Sequence, residues 1–270
     1  MIVHTAQQPY RELHDSILEY EGEDLFTDVV RPWLSSATAE KRWLDDLRGR
    51  ARPHHPMSQE ENWRLYALSR IVELLSIGLT PARVGLEQRW HVAELHADEF
   101  AAAMENLGLE RVEQAAFSPF YHEVASVEQT GDDTTPPSII SEFAPGFRVG
   151  ALLIARARCQ VSSGRNHLVG TVAEMSTLYW AFARNNRPVT DLSAGWGSNS
   201  QWRTPFRTDY AYEGTLFFNA DPNAHCPAIE DDASLNLDEQ LELLRHRCFV
   251  RCSKDHADLW PYDWSAEEGA

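Results

Sequence analysis

The sequence predicts an α+β protein in which a helical N-terminal half packs with a mixed α/β C-terminal half. Before Gly108, apolar residues recur with the 3.6-residue period of amphipathic helices. After Gly108, short apolar segments alternate as strands do and are separated by turn-forming residues. Capping-box patterns at Ser58/Glu61 and Thr171/Glu174 indicate helix starts in both halves.

Three helices are predicted in the first half. The first covers 39–47, and the second runs from the Ser58 cap through Leu75. The third is predicted to begin at Thr80-Pro81, a cap followed by a first-turn proline, and to run to about Leu107. Gly108 is the expected stop, because glycine readily adopts the left-handed conformation that ends many helices.

The second half is predicted to mix strands and helices. Strand-like alternation appears in 117–129 and again in 210–219, whereas 149–161 is apolar and fits either a strand or a short helix. The Thr171 capping box predicts a helix that runs through Phe182. A leucine stripe predicts a final helix over 235–247.

The clearest linker is 131–137, which combines Gly, Asp, Thr and two Pro residues. It divides the chain into a mainly helical region, 1–130, and an α+β region, 138–270, that carries an Arg/Trp-rich loop. The same segment is also consistent with a surface loop inside a single domain.

Composition narrows the class of protein. The chain has 270 residues, a net charge of −17 and 43% hydrophobic residues, which is typical of a folded protein and argues against nucleic-acid or anionic-membrane binding. No apolar run approaches the length of a membrane span, and the first residues do not resemble a signal peptide, so we expect a bacterial-type cytoplasmic protein. Four cysteines in such a chain do not predict a disulfide framework.

The charge is distributed unevenly. Residues 143–220 contain eight arginines and four acidic residues, whereas the segments on either side are strongly acidic. This basic segment is expected to attract an anion locally, and arginine holds carboxylate or phosphate with paired hydrogen bonds. The alternative is that these arginines pair with acidic residues of the chain itself.

The most informative segment is 195–210, which we call the aromatic loop. It contains two Trp and two Arg residues among Gly, Ser, Asn and Pro, which is typical of a recognition loop. Its candidate ligand-binding residues are Trp196, Asn199, Gln201, Trp202, Arg203 and Arg207. The arginines would hold an anion and the tryptophans would stack or wall the pocket, with Asp209 orienting one arginine.

Two patterns suggest a metal as an alternative. If 81–107 is one helix, Glu87, His91, Glu94 and Asp98 share a face. Near the C-terminus, His246, Cys248, Cys252 and His256 combine thiolate and imidazole, the usual ligands of zinc. Neither pattern is a standard metal motif, because the helical face lacks a partner helix and the cysteines are closely spaced.

No standard nucleotide-binding or hydrolase motif is present, and no motif identifies a cofactor. If the protein performs acid–base chemistry, His122, His167 and Asp209 are the first candidates, because they are polar residues in or near the basic segment.

The leading hypothesis is a cytoplasmic protein that binds a small anionic molecule, a nucleotide or a carboxylated metabolite, either as a binding protein or as an enzyme acting on it. A second hypothesis is an acidic module of the immunity or inhibitor type that binds a basic protein. A third is a metal-dependent enzyme.

Overall fold

A computed structural model describes residues 6–53, 55–83, 92–193, 202–220, 235–252 and 259–270. Within these ranges the chain forms seven α-helices and eleven strands in three sheets, so the predicted α+β class is confirmed. None of the described helices is long and apolar enough to cross a membrane.

Five of the helices precede the sheets. They are α1 (Gln8–Leu18), α2 (Arg31–Ser36), α3 (Thr38–Arg48), α4 (Gln59–Leu75) and α5 (Ala97–Leu107). The Ser58/Glu61 capping box is present at the start of α4. Gly108 ends α5 with a φ of 107°, the left-handed conformation expected of it.

The strands form one large antiparallel sheet and two small ones. The strands are β1 (Glu110–Arg111), β2 (His122–Gln129), β3 (Ser138–Ala144), β4 (Phe147–Val149), β5 (Leu152–Ala155), β6 (Ala157–Ser163), β7 (Leu178–Tyr179), β8 (Val189–Thr190), β9 (Asp209–Tyr212), β10 (Thr215–Phe218) and β11 (Ala266–Gly269). The six-stranded sheet has the order β1-β4-β5-β9-β10-β11, and β6 is the central strand between β2 and β3. The remaining helices are α6 (Gly170–Ala173) and α7 (Leu237–His246).

The main hydrophobic core joins the helical half to the large sheet. It combines buried residues of α1 and α4, such as Leu13 and Leu68, with Phe147, Leu152 and Tyr210 of the sheet. The predicted linker lies between β2 and β3, and both of these strands pair with β6. The linker therefore connects two strands of one sheet.

The predicted third helix is wrong in its first part. Residues 84–91 lie outside the described residues, and 92–96 are not helical, so α5 begins only at Ala97. The Glu99 carboxylate accepts a hydrogen bond from the His96 backbone N–H, and this capping interaction starts the helix there.

The predicted helix from Thr171 through Phe182 is also wrong. Helix α6 ends at Ala173 and the chain continues into β7. The Glu174 carboxylate accepts a hydrogen bond from the backbone N–H of Val127 at 2.8 Å, so it binds β2 instead of capping a helix. A tertiary contact has replaced the local one that the pattern predicted.

The segment 210–219 forms two strands instead of one. Strands β9 and β10 are joined by a two-residue turn in which Glu213 and Gly214 have φ values of 49° and 77°. Two consecutive positive φ angles give the turn whose twist matches a tight hairpin. The segment 149–161, for which a strand and a helix were both open, contains β5 and most of β6.

Candidate functional site

A buried cavity lies between α4, the strands β5 and β6, and the chain segments around residues 180–192 and 205–209. Its open volume is about 60 Å³. By this measure one water needs about 10–15 Å³, so the space admits a group of a few heavy atoms. Five arginines line it: Arg156, Arg158, Arg184, Arg207 and Arg247.

Local structure explains why these side chains meet. Strand β2 pairs in parallel with β6, and the register places Glu123 opposite Arg158. Arg156 precedes β6 directly, and Asp209 begins β9, which pairs with β5. Residues distant in sequence are therefore brought to one place by strand register, and Arg247 joins them from the C-terminal end of α7.

The first ion-pair group centres on Glu123. Its carboxylate accepts hydrogen bonds from Arg184 Nε at 2.9 Å, Arg184 Nη2 at 2.8 Å and Arg247 Nη2 at 2.6 Å. Glu73 adds a second contact to Arg184 at 3.1 Å and accepts the backbone N–H groups of Phe182 and Ala183. Burial alone would raise the pKa of Glu123, but the two arginines hold it well below its usual range.

The second ion-pair group centres on Asp209. It accepts hydrogen bonds from Arg207 Nε at 2.8 Å and Arg156 Nη2 at 3.1 Å, as well as from the backbone N–H of Asn219 at 2.9 Å. Burial would raise the pKa of Asp209, but Arg207 and Arg156 lower it below its ordinary value. Both arginines also donate to main-chain carbonyls at the end of α7.

Arg158 is bonded differently. Its guanidinium donates to the carbonyl and the hydroxyl oxygen of Ser76, both at 2.8 Å, and no carboxylate among the described residues accepts a hydrogen bond from it. Burial, reinforced by Arg184, lowers the pKa of Arg158 to about 9. Burial and the charge of Arg247 lower the pKa of Arg156 to the same value. Both positive charges are therefore poorly compensated.

The arginines in and around the cavity outnumber their carboxylate partners. Arg187 extends the cluster, because its Nη1 donates to Cys248 Sγ at 3.5 Å and both Glu123 and Arg247 act on that thiol. We call the six arginines at 156, 158, 184, 187, 207 and 247 the arginine cluster. Among the described residues, four carboxylates contact this cluster or line the cavity with it: Glu73, Glu123, Asp191 and Asp209. Two positive charges remain unmatched in a region largely removed from water.

Several N–H groups of the cluster make no hydrogen bond within the described structure. They include Arg156 Nε, Arg207 Nη1 and Arg247 Nε, and all three of these side chains line the cavity. A buried donor without a partner costs about 1–3 kcal/mol, more for a charged group. An anion in the cavity would supply both the missing acceptors and the missing charge.

The predicted ligand-binding residues lie in different places: one lines the cavity, one is in the main core and one is on the surface. Arg207 lines the cavity with Asp209, and its guanidinium lies 4.3 Å from the centre of the Trp180 ring. Trp202 is buried in the main core, where its ring meets His14 edge-on, and it is not part of the cavity wall. Arg203 is exposed and lies over the ring of Trp63, outside the cavity.

The remaining candidates of the aromatic loop, Trp196, Asn199 and Gln201, lie outside the described residues. The chain on either side does line the cavity, through Asp191 and Leu192 before the loop and Pro205 and Phe206 within it. Five of the eight arginines of the basic segment are buried, and only Arg148, Arg165 and Arg203 are exposed. The basic segment is thus mainly an interior feature.

The three predicted acid–base residues do not come together. His122 is buried with its Nδ1 against the backbone of Ser118, and burial lowers its pKa. His167 is exposed, and its Nε2 lies 3.2 Å from the carbonyl of Thr134. Of the three, Asp209 alone lines the cavity, where two arginines already occupy its carboxylate.

The described residues contain no group of three or more His, Cys, Asp or Glu side chains able to hold a metal ion. His91 and His256 lie outside the described ranges, whereas Glu94 is exposed on a non-helical segment and so does not share a helical face with Asp98.

The two predicted cysteine ligands have different environments. Cys248 is buried against Arg187, and burial raises the pKa of its thiol. Cys252 contacts Glu239, with 3.6 Å between Sγ and Oε1.

Sequence reasoning missed most of the cavity residues. Glu73 lies within the apolar run of α4, and Arg156 and Arg158 lie within the apolar run 149–161. The signal that could have identified these cavity residues is a charged residue inside an apolar segment, because such a residue must be buried with a partner.

Comparison with known proteins finds no matching family model, no similar curated protein and no similar solved structure.

Proposed function

We propose that this protein binds a small anionic ligand, the charged group of a nucleotide or of a carboxylated metabolite, in the arginine-lined cavity. The observation that carries the proposal is a surplus of buried positive charge around a space that is large enough for a small group. Five arginines line this space against four carboxylates that line it or pair with them, and Arg187, which does not line it, adds a second surplus charge. Burying a charge without a counter-charge is costly, so a bound anion would stabilise the folded state.

The alternative, a purely structural ion-pair network, fits only part of the cluster. Arg184 behaves as a structural residue, because Glu73 and Glu123 both bind it. Arg158 has hydroxyl and carbonyl partners only, and Arg207 keeps one buried N–H without an acceptor. Arg156 and Arg247 each keep such an N–H as well. We therefore expect Arg207, Arg156 and Arg247 to contact the ligand and Arg158 to attract it through its charge.

The chain offers a matched pair of variants for the test. Arg207 lines the cavity, whereas Arg203 is exposed and lies outside it, only four residues away. The purified protein is exchanged into chloride buffer and titrated with sulfate, phosphate, acetate and nitrate by isothermal calorimetry. Arg207→Ala and Arg203→Ala are measured in parallel after circular dichroism has shown that each is folded.

We expect at least one of these anions to bind the wild-type protein. Arg207→Ala should weaken that binding at least ten-fold, because a charge-assisted hydrogen bond contributes about 1.5–3 kcal/mol. Arg203→Ala should stay within about two-fold, since removal of a remote surface charge acts only through a screened field. The proposal would be overturned if none of the four anions binds the wild-type protein, or if both variants lose the same amount of anion affinity.

A further inference from the structure

The cavity is small relative to the charge around it. Its volume of about 60 Å³ is bordered by side chains from α4, from β5 and β6 and from the loops that follow α6. So small a space favours a ligand that carries its charge on one compact group over one that must place two separate carboxylates there.

The geometry of the donors also favours a group with several oxygens. Arg156 Nε, Arg207 Nη1 and Arg247 Nε have no partner, and they belong to three side chains from different parts of the fold. A planar carboxylate presents two oxygens along one edge, which suits the fork of a single arginine. A tetrahedral oxyanion presents oxygens in several directions, and separate donors can each bind one of them.

We infer that the cavity selects a tetrahedral oxyanion with two negative charges, a phosphoryl or sulfuryl group, over carboxylates and singly charged ions. This inference rests on the proposed function, and it narrows the ligand to one class. The arginine cluster exceeds its carboxylates by two charges, one of them on Arg187 outside the cavity lining, and this total matches two negative charges on one centre. Free phosphate and the phosphoryl group of an ester share this chemistry.

The experiment compares anions at pH 7.5 in chloride buffer by isothermal calorimetry. The doubly charged tetrahedral probes are sulfate, inorganic phosphate and glycerol 3-phosphate, and the comparison probes are acetate, nitrate and succinate. We expect at least one tetrahedral dianion to bind at least ten-fold more tightly than every comparison probe. Binding of inorganic phosphate alone would indicate the free ion, whereas binding of glycerol 3-phosphate would indicate an ester, and either supports the inference.

Two further measurements test the role of charge. The second ionisation of a phosphate ester lies near pH 6, so affinity for glycerol 3-phosphate should rise about ten-fold from pH 5 to pH 7.5. Sulfate keeps two charges over this range and therefore controls for titration of the protein. Arg158→Met removes one surplus charge and should reduce the preference for dianions over nitrate to within about three-fold.

The possible failures are distinguishable. If no anion of either class binds, the proposed function fails and the inference fails with it. If acetate, nitrate or succinate binds as tightly as the tetrahedral dianions, the anion site stands but the inference is wrong. A preference for dianions that is unchanged in folded Arg158→Met would also overturn it, since the surplus charge would then not be the cause.

Discussion

Replacing Arg158 and Arg184 separately by methionine should have very different consequences for stability, although both residues are buried. Arg158 is 4% exposed and Arg184 is 7% exposed, and both line the same cavity. Arg184 holds two buried carboxylates, Glu73 and Glu123, whereas Arg158 donates only to Ser76 and Thr80. Methionine keeps much of the side-chain length in both variants, so the comparison isolates the charge.

The magnitudes follow from the partners that each substitution leaves behind. Arg184→Met leaves buried carboxylates short of a counter-charge, and breaking a buried pair in this way costs about 3–5 kcal/mol. Arg158→Met loses its two short hydrogen bonds to Ser76, at about 1 kcal/mol each, but removes a buried charge whose desolvation costs several kcal/mol. We therefore expect Arg158→Met to lie within about 1 kcal/mol of the wild-type protein, or to be more stable.

Urea unfolding followed by tryptophan fluorescence measures the difference, in chloride buffer free of polyvalent anions. With an m-value of about 3 kcal/mol/M, a 3 kcal/mol loss moves the midpoint by about 1 M, which is easily resolved. If Arg158→Met destabilises the protein as much as Arg184→Met does, the charge of Arg158 is compensated within the fold. The reasoning that leads to an anion site would then be wrong.

Two further outcomes are expected. Asp209→Asn should lower the free energy of unfolding by about 3–5 kcal/mol in chloride buffer, because Arg156 and Arg207 lose the negative charge they share. Added sulfate should restore part of the urea midpoint, since it would supply a counter-charge in the cavity. An unchanged midpoint in sulfate would contradict a cavity open to anions. Burial, with Arg156 nearby, lowers the pKa of His246 to about 3 in the folded protein. As the pH falls below about 6.5, the unfolded chain therefore takes up a proton that the folded protein does not, and the free energy of unfolding drops by up to about 1.4 kcal/mol per pH unit. His246→Gln should show a shallower acid decline in urea unfolding at pH 7, 5.5 and 4.5, and an unchanged decline would assign the loss to other groups.

The sequence predicted the fold class better than the site. Local patterns determined the capping box at Ser58 and the stop at Gly108, because both depend on contacts within a few residues. The capping pattern at Thr171 failed because Glu174 binds the backbone of Val127, which is distant in sequence. Local reasoning cannot foresee a partner that only the folded chain supplies.

The candidate site likewise contains residues that local sequence patterns identified and residues that they missed. Arg207 and Asp209 were identified because only one residue separates them and they lie in an unusual loop. Arg158 and Glu123 were missed because strand register, not sequence proximity, places them together. Arg203 was predicted to bind the ligand on the strength of its position in the same loop, yet the structure places it on the surface over Trp63.

A shortage of carboxylates cannot explain the surplus of arginine charge around the cavity. The chain has 41 acidic residues and 24 basic ones, so carboxylates are abundant. Elsewhere the fold provides buried carboxylates with an arginine each, as in the pairs Glu40–Arg64 and Glu242–Arg251. In the cavity the relation is reversed, since Glu123 and Asp209 each serve two arginines and Arg158 has none. Among the described residues of this acidic chain, the positive charge left without a carboxylate at the cavity is best explained by a counter-charge that comes from outside the chain.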